Sequence, residues 1–345
     1  MNAMIFTLPG ALQSSRALRL APVLAALFYP FLLRAFHAAV SWKSPPWGNI
    51  VAGCLLLIAL SVPILGILTA IRLSNTPVLT VSHMRGRQAA FLSVCAPPLF
   101  VLAGVGLGLL KAPISDTAAW IVLWTAVAAY VWPEKPEVVA ARNTTITGVR
   151  VAHGISALLI LLFALFHLSN HLLGWLGPET HRTVMELGRR VYRSDLGEPI
   201  LLSMLLFQIV TGGWLVYWWS TRAIDAHRVF QVASGDYLAI FILTHLNSAL
   251  VSARIVRGVE TDWAWASGAP DGLLLDPWNI RLLPHYAFAV FFVLAHVSSG
   301  LRIVLLAHGT GSRTVRGIWA SGFAVSALTA LLIVAALCGA RMELS

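Results

Sequence analysis

"HGISALLILLFALFHLSNH", residues 153–171, is a run of hydrocarbon side chains interrupted by three imidazoles. As a helix rising about 1.5 Å per residue it covers most of a hydrocarbon core of about 30 Å. At 100° per residue His153, His167 and His171 stand within about 40° of one direction, with axial offsets of about 21 and 6 Å. They share one helix face. An uncompensated polar side chain in lipid costs several kcal/mol, so that face must turn into a bundle and meet a partner there.

The rest of the chain repeats the hydrocarbon pattern. Of 345 residues, 58% are apolar and 11% charged, too few charges to cover a water-facing surface. Runs of about 20 apolar residues predict nine membrane spans, at about 17–40, 49–71, 88–110, 117–132, 150–175, 198–220, 236–257, 282–306 and 317–339. None alternates with the period of two that a barrel strand requires, so the expected fold is an all-α, polytopic transmembrane helix bundle. Prolines 22, 30, 63, 97 and 98 fall inside these runs and predict kinks. The first run is too long for the apolar core of a signal peptide and reads as a retained helix.

A small excess of Lys and Arg favours a cytoplasmic N-terminus in a bacterial-type inner membrane. The net charge of +10 is then read as cytoplasmic-face charge toward anionic lipid. No basic-aromatic ladder suggests nucleic acid. Cys54, Cys95 and Cys338 have no paired spacing and read as packing residues.

A polar stretch, "PEKPEVVAARNTTITG" (133–148), divides the chain into a four-helix N-terminal region, 1–133, and a five-helix region, 148–345. Beyond it lies an internal repeat. His153-Gly-Ile-Ser156 is followed by His167 eleven residues after the serine, and Gln231-Val-Ala-Ser234 by His245 eleven residues after the serine. Gln208 precedes Gly212 by four residues, as His296 precedes Gly300. One His alone is better read as a hydrogen bond between helices. Histidines recurring at one register fit a haem iron, since neutral imidazole is a good axial ligand and four helices can enclose a porphyrin.

With these motifs and the basic "HGTGSRTVRG" loop (308–317), residues 148–340 resemble the single-chain cytochrome b membrane anchors of succinate dehydrogenase and fumarate reductase. The resemblance implies two haem b sites. The outer would use His167 and His245; the inner would use position 208 and His296, with Gln208 standing where the family has a histidine. Three outcomes are open for the inner site: no haem, a five-coordinate haem on His296, or His153 as replacement ligand. It also implies quinone contacts at Arg150, His153 and Ser156, with His171 and Glu198 as an outer group. His171, His285, Arg254 and Arg257 are further candidates for haem propionate contacts. Asp236 reads either as a proton relay or as a helix cap.

No loop is long enough for a flavin or iron–sulfur domain, so substrate oxidation is expected on another polypeptide. The function implied is a non-catalytic electron-transfer and anchor subunit, with haem b as its metal-binding cofactor, linking quinone to a partner redox protein. The alternative is a haem- or quinone-responsive sensor, or a structural anchor without haem.

Overall fold

The computed structural model describes residues 16–42, 46–76, 78–140 and 145–342; residues 141–144 of the dividing stretch lie outside them. The described residues are mostly helical, and the only β feature among them is a bridge between Thr80 and Val138. The helices are α1 (Arg16–Val40), α2 (Trp47–Ser74), α3 (Val81–Val94), α4 (Ala96–Leu109), α5 (Asp116–Val131) and α6 (Thr147–Leu172). They continue as α7 (Pro178–Tyr192), α8 (Gly197–Ser220), α9 (Ala226–Leu246), two short turns α10 (Trp263–Ala266) and α11 (Gly272–Leu275), α12 (Leu282–Ala307) and α13 (Ser312–Leu337).

Seven of these are long and apolar enough to cross a membrane, and the chain is a multi-pass membrane protein. Two of the nine expected spans take another form. The run at 88–110 is two helices, α3 and α4, meeting at 67°. Pro97 and Pro98 explain the break: neither can donate to the preceding turn, and each ring crowds the carbonyl four residues back. Pro22, Pro30 and Pro63, by contrast, lie inside uninterrupted helices. The run at 117–132 is a helix of 16 residues, about 24 Å long and short of a full hydrocarbon core.

The seventh expected span, 236–257, begins ten residues earlier than its apolar run. Asp225 caps α9 by accepting from the Arg228 backbone N–H at 2.7 Å. Asp236 is therefore mid-helix, facing the Cys95 thiol, and is not a cap. At its other end α9 passes directly into a π-helix, Asn247–Arg257, a rare geometry that is frequently met at functional sites.

The N-terminal helices pack directly on the later bundle. One buried cluster joins Phe91, Val94 and Cys95 to Val229, Tyr237 and Phe292. Arg87, fully buried on α3, reaches the end of α8: its guanidinium donates to the carbonyls of Ser220 and Arg222, the latter at 2.7 Å, and to Ser74 Oγ at 3.0 Å. A helix end leaves four carbonyls without intrahelical donors, and a buried cation supplies them. Arg19–Glu134, at 2.7 Å, ties α1 to the segment after α5. The opposite ends of α5 and α12 are tied by Arg281–Asp116, also 2.7 Å.

Candidate functional site

Helix α6 has two unlike faces. Val151, Ile155, Leu158 and Leu162 recur at 4, 3 and 4 residues and are all more than half exposed, a stripe suited to lipid. The opposite face carries His153, Ala157, Ile160, Ala164, His167 and His171. From Ala157 onward that face lines an apolar cavity of about 370 Å³ enclosed by α6, α7, α8, α9 and α12. Leu202, Leu205, Leu238, Phe241 and Val293 contribute its other walls. The volume is of the size of small-molecule and cofactor sites.

His167 on α6 and His245 on α9 face each other across this cavity, with ring centres 6.1 Å apart. Neither ring nitrogen of either residue hydrogen-bonds to a described residue. Two imidazoles on opposite sides of one iron, each with a metal–nitrogen bond of about 2 Å, have ring centres about 6 Å apart. The spacing of the pair matches that of two imidazoles sharing one metal centre. Among the described residues no group of three or more His, Cys, Asp or Glu side chains is arranged to hold a bare metal ion.

The internal repeat reappears as matched contacts. Phe163 stacks on His167 with ring centres 5.6 Å apart and planes 18° apart; Phe241 stacks on His245 at 5.6 Å and 16°. Each phenyl lies one helical turn before its imidazole and fixes the plane of the ring. Sequence reading overlooked this, although Phe-x-x-x-His is visible at both places.

The second pair of matched positions behaves alike on one side and differently on the other. Ser234 Oγ donates to the Gln231 carbonyl at 3.1 Å and lies 2.9 Å from His296 Nδ1. With the hydroxyl proton engaged, His296 Nδ1 is the donor and its Nε2 keeps a lone pair. On the other side Ser156 Oγ donates to the His153 carbonyl at 3.3 Å and accepts from Gln208 Nε2 at 2.5 Å. The Gln208 amide also donates to the His153 carbonyl at 2.8 Å. Gln208 thus occupies the place of His296 in the repeat, but it is bonded to α6 and offers no imidazole.

His153 Nδ1 is hydrogen-bonded to Thr211 Oγ1 at 2.7 Å, and its side chain does not line the cavity. His153, Ser156 and the exposed Arg150 all sit on the first turns of α6, at the end of the bundle where the 133–148 stretch enters.

The other end of the cavity is roofed by α7, which lies between the fifth and sixth expected spans. His181, Met185, Arg189 and Tyr192 of α7 all face the cavity, and the spacing of His181, Met185, Gly188 and Tyr192 is the amphipathic signal that could have found it. The fit is close: a Cβ on Gly188 would stand 2.3 Å from the Phe166 ring. Imidazoles continue outward from the metal-competent pair, His167 to His171 at 4.8 Å and His171 to His181 at 5.3 Å. Trp263 closes the row 4.9 Å from His181.

Buried polar atoms without partners gather at this end: Asn170 Oδ1, His171 Nδ1, His181 Nδ1 and Arg189 Nε. Arg189, Arg193 and Arg254 line the mouth, where Glu198 pairs with Arg254 at 2.6 Å and Glu260 with Arg189 at 2.9 Å. Burial, reinforced by the Arg189 charge, pushes the His181 pKa down to about 4; the Asp262 carboxylate opposes the shift. Of the other expected outer residues, Arg257 is exposed and donates to Ser252 Oγ, and His285 is packed against Phe241 behind the cavity wall. Neither reaches the cavity.

No family model, curated protein or solved structure matches the chain.

Proposed function

We propose that this chain is a haem b-binding membrane subunit that passes single electrons between a membrane quinone and a partner redox protein. It would act in the manner of the succinate dehydrogenase and fumarate reductase anchors that its second half resembles. The observation that carries the reading is the His167–His245 pair, unbonded and 6.1 Å apart across an apolar cavity.

Haem b supplies reversible one-electron chemistry at its iron when bound. His167 and His245 would hold it, their rings oriented by the stacked Phe163 and Phe241. The leucine and phenylalanine walls exclude water and keep the local dielectric low, which is how a protein tunes a buried redox centre. Arg189, Arg193 and Arg254 at the mouth supply cations for the porphyrin's carboxylate edge, and the unpartnered nitrogens of His171 and His181 are in reach of the same region. In this reading the inner position keeps His296 alone, because the Gln208 amide is engaged with α6, so the chain holds one bis-histidine haem. Quinone is assigned to the α6 entry at Arg150, His153 and Ser156. The N-terminus would lie on the cytoplasmic side of a bacterial-type inner membrane.

A pyridine-haemochrome assay on the purified chain should give one haem b per polypeptide. His167→Ala and His245→Ala should each abolish the reduced-minus-oxidised bands. Absence of haem, or bands that persist in both variants, overturns the assignment. Reduction of the haem by a quinol analogue supports electron transfer; a haem inert to quinol would instead fit the sensor or structural-anchor alternative.

A further inference from the structure

At the end of the bundle opposite the α7 roof, a small polar cleft of about 40 Å³ opens between α9, α12 and α13. Its lining includes His227, Arg228, Arg302 and Trp319, with Asp225 as its one acid. Asp225 is already engaged in capping α9. Arg228 is oriented by Trp219, whose ring centre lies 4.4 Å from the guanidinium, and by Gln231 Oε1 at 2.5 Å. Arg316 lies within electrostatic range of His227, and Arg150 of Arg228. Neither Arg302 nor Arg316 pairs with a carboxylate or hydrogen-bonds to a described residue.

Like charges drawn from different helices repel one another unless an anion sits among them. The cleft has room for three or four water-sized groups at about 10–15 Å³ each, the size of one tetrahedral oxyanion. Its surroundings say how that anion is presented. The other faces of the same two helices, with Leu301 and Val304 on α12 and Ile318 on α13, are more than a third exposed and suited to lipid, so the cationic cleft opens between lipid-facing helices.

We propose that the cleft binds the phosphate of an acidic phospholipid headgroup, held by Arg228, Arg302 and Arg316 with His227 at the rim, while the acyl chains lie on α12 and α13. Guanidinium forks match phosphate oxygens in charge and geometry. The proposal is independent of the haem reading.

The test uses the full chain in phosphatidylcholine nanodiscs doped with phosphatidylglycerol, with retained lipid counted by native mass spectrometry. Phosphatidylglycerol should be held in preference to phosphatidylcholine. The Arg302→Gln/Arg316→Gln pair should weaken it about 30-fold, since each arginine near an anionic headgroup is worth about a fivefold factor. Arg302→Lys/Arg316→Lys should keep most of the binding, and the exposed Arg316→Gln alone, which disturbs no packing, should cost about fivefold. Equal retention of phosphatidylcholine, or undiminished phosphatidylglycerol binding in the Gln variants, overturns the proposal. Displacement of the lipid by millimolar inorganic phosphate would also overturn it, by assigning the cleft to a free anion.

Discussion

Acidification should loosen the roof of the cavity, and His181 sets how much. With α7 docked, the imidazole is buried against His171 and Trp263 beside the Arg189 charge, and its pKa falls from an ordinary 6.5 to about 4. Undocked, it returns to the ordinary value. Above pH 6.5 the ring is neutral in both states and its contribution to docking is fully present. As pH falls toward 4 the undocked helix takes up a proton that the docked helix refuses. Docking then weakens by 1.36 kcal/mol for each pH unit crossed, about 3.4 kcal/mol in all, or roughly 300-fold in the docking equilibrium. The carboxyl of Glu179, on the exposed side of α7, is held below its ordinary range by the Arg182 guanidinium of the same helix, a pairing that docking does not change.

Hydrogen–deuterium exchange of residues 178–192, corrected for intrinsic rates, should therefore show protection dropping by about two orders of magnitude between pH 7 and pH 4.5. His181→Gln should flatten that dependence. Protection that stays constant across the range, or that falls equally in the Gln variant, would refute the reasoning.

Two further substitutions probe the repeat and the joint between the halves. Gln208→His places an imidazole where Ser156 Oγ can hold Nδ1, as Ser234 holds His296, and should raise the haemochrome count from one toward two per chain. Arg87→Met removes the buried cation that satisfies the α8 carbonyls; at about 1.5–3 kcal/mol per charged hydrogen bond lost it should cost 3 kcal/mol or more, read as a lowered thermal unfolding midpoint.

Much of the fold was legible because helical periodicity is a local property. Solvent preference and the 3.6-residue turn alone place Val151, Ile155, Leu158 and Leu162 on one side of α6 and His153, His167 and His171 on the other. The same reasoning found the equal spacing of Ser156–His167 and Ser234–His245. It failed where a boundary depends on something other than hydrophobicity: α9 starts ten residues before its apolar run because Asp225 caps it. It failed again where backbone chemistry interrupts an apolar run, at the Pro97-Pro98 break.

What the chain alone determined is therefore which residues share a helix face, since each face is fixed by neighbours a turn or two away. Only the tertiary structure decided which faces meet. The 6.1 Å approach of His167 to His245, the α7 roof with His181 beneath it, and the binding of Gln208 to α6 each join residues far apart in the chain. Such contacts are selected by packing helices of fixed shape, for which no local spacing in the sequence stands proxy.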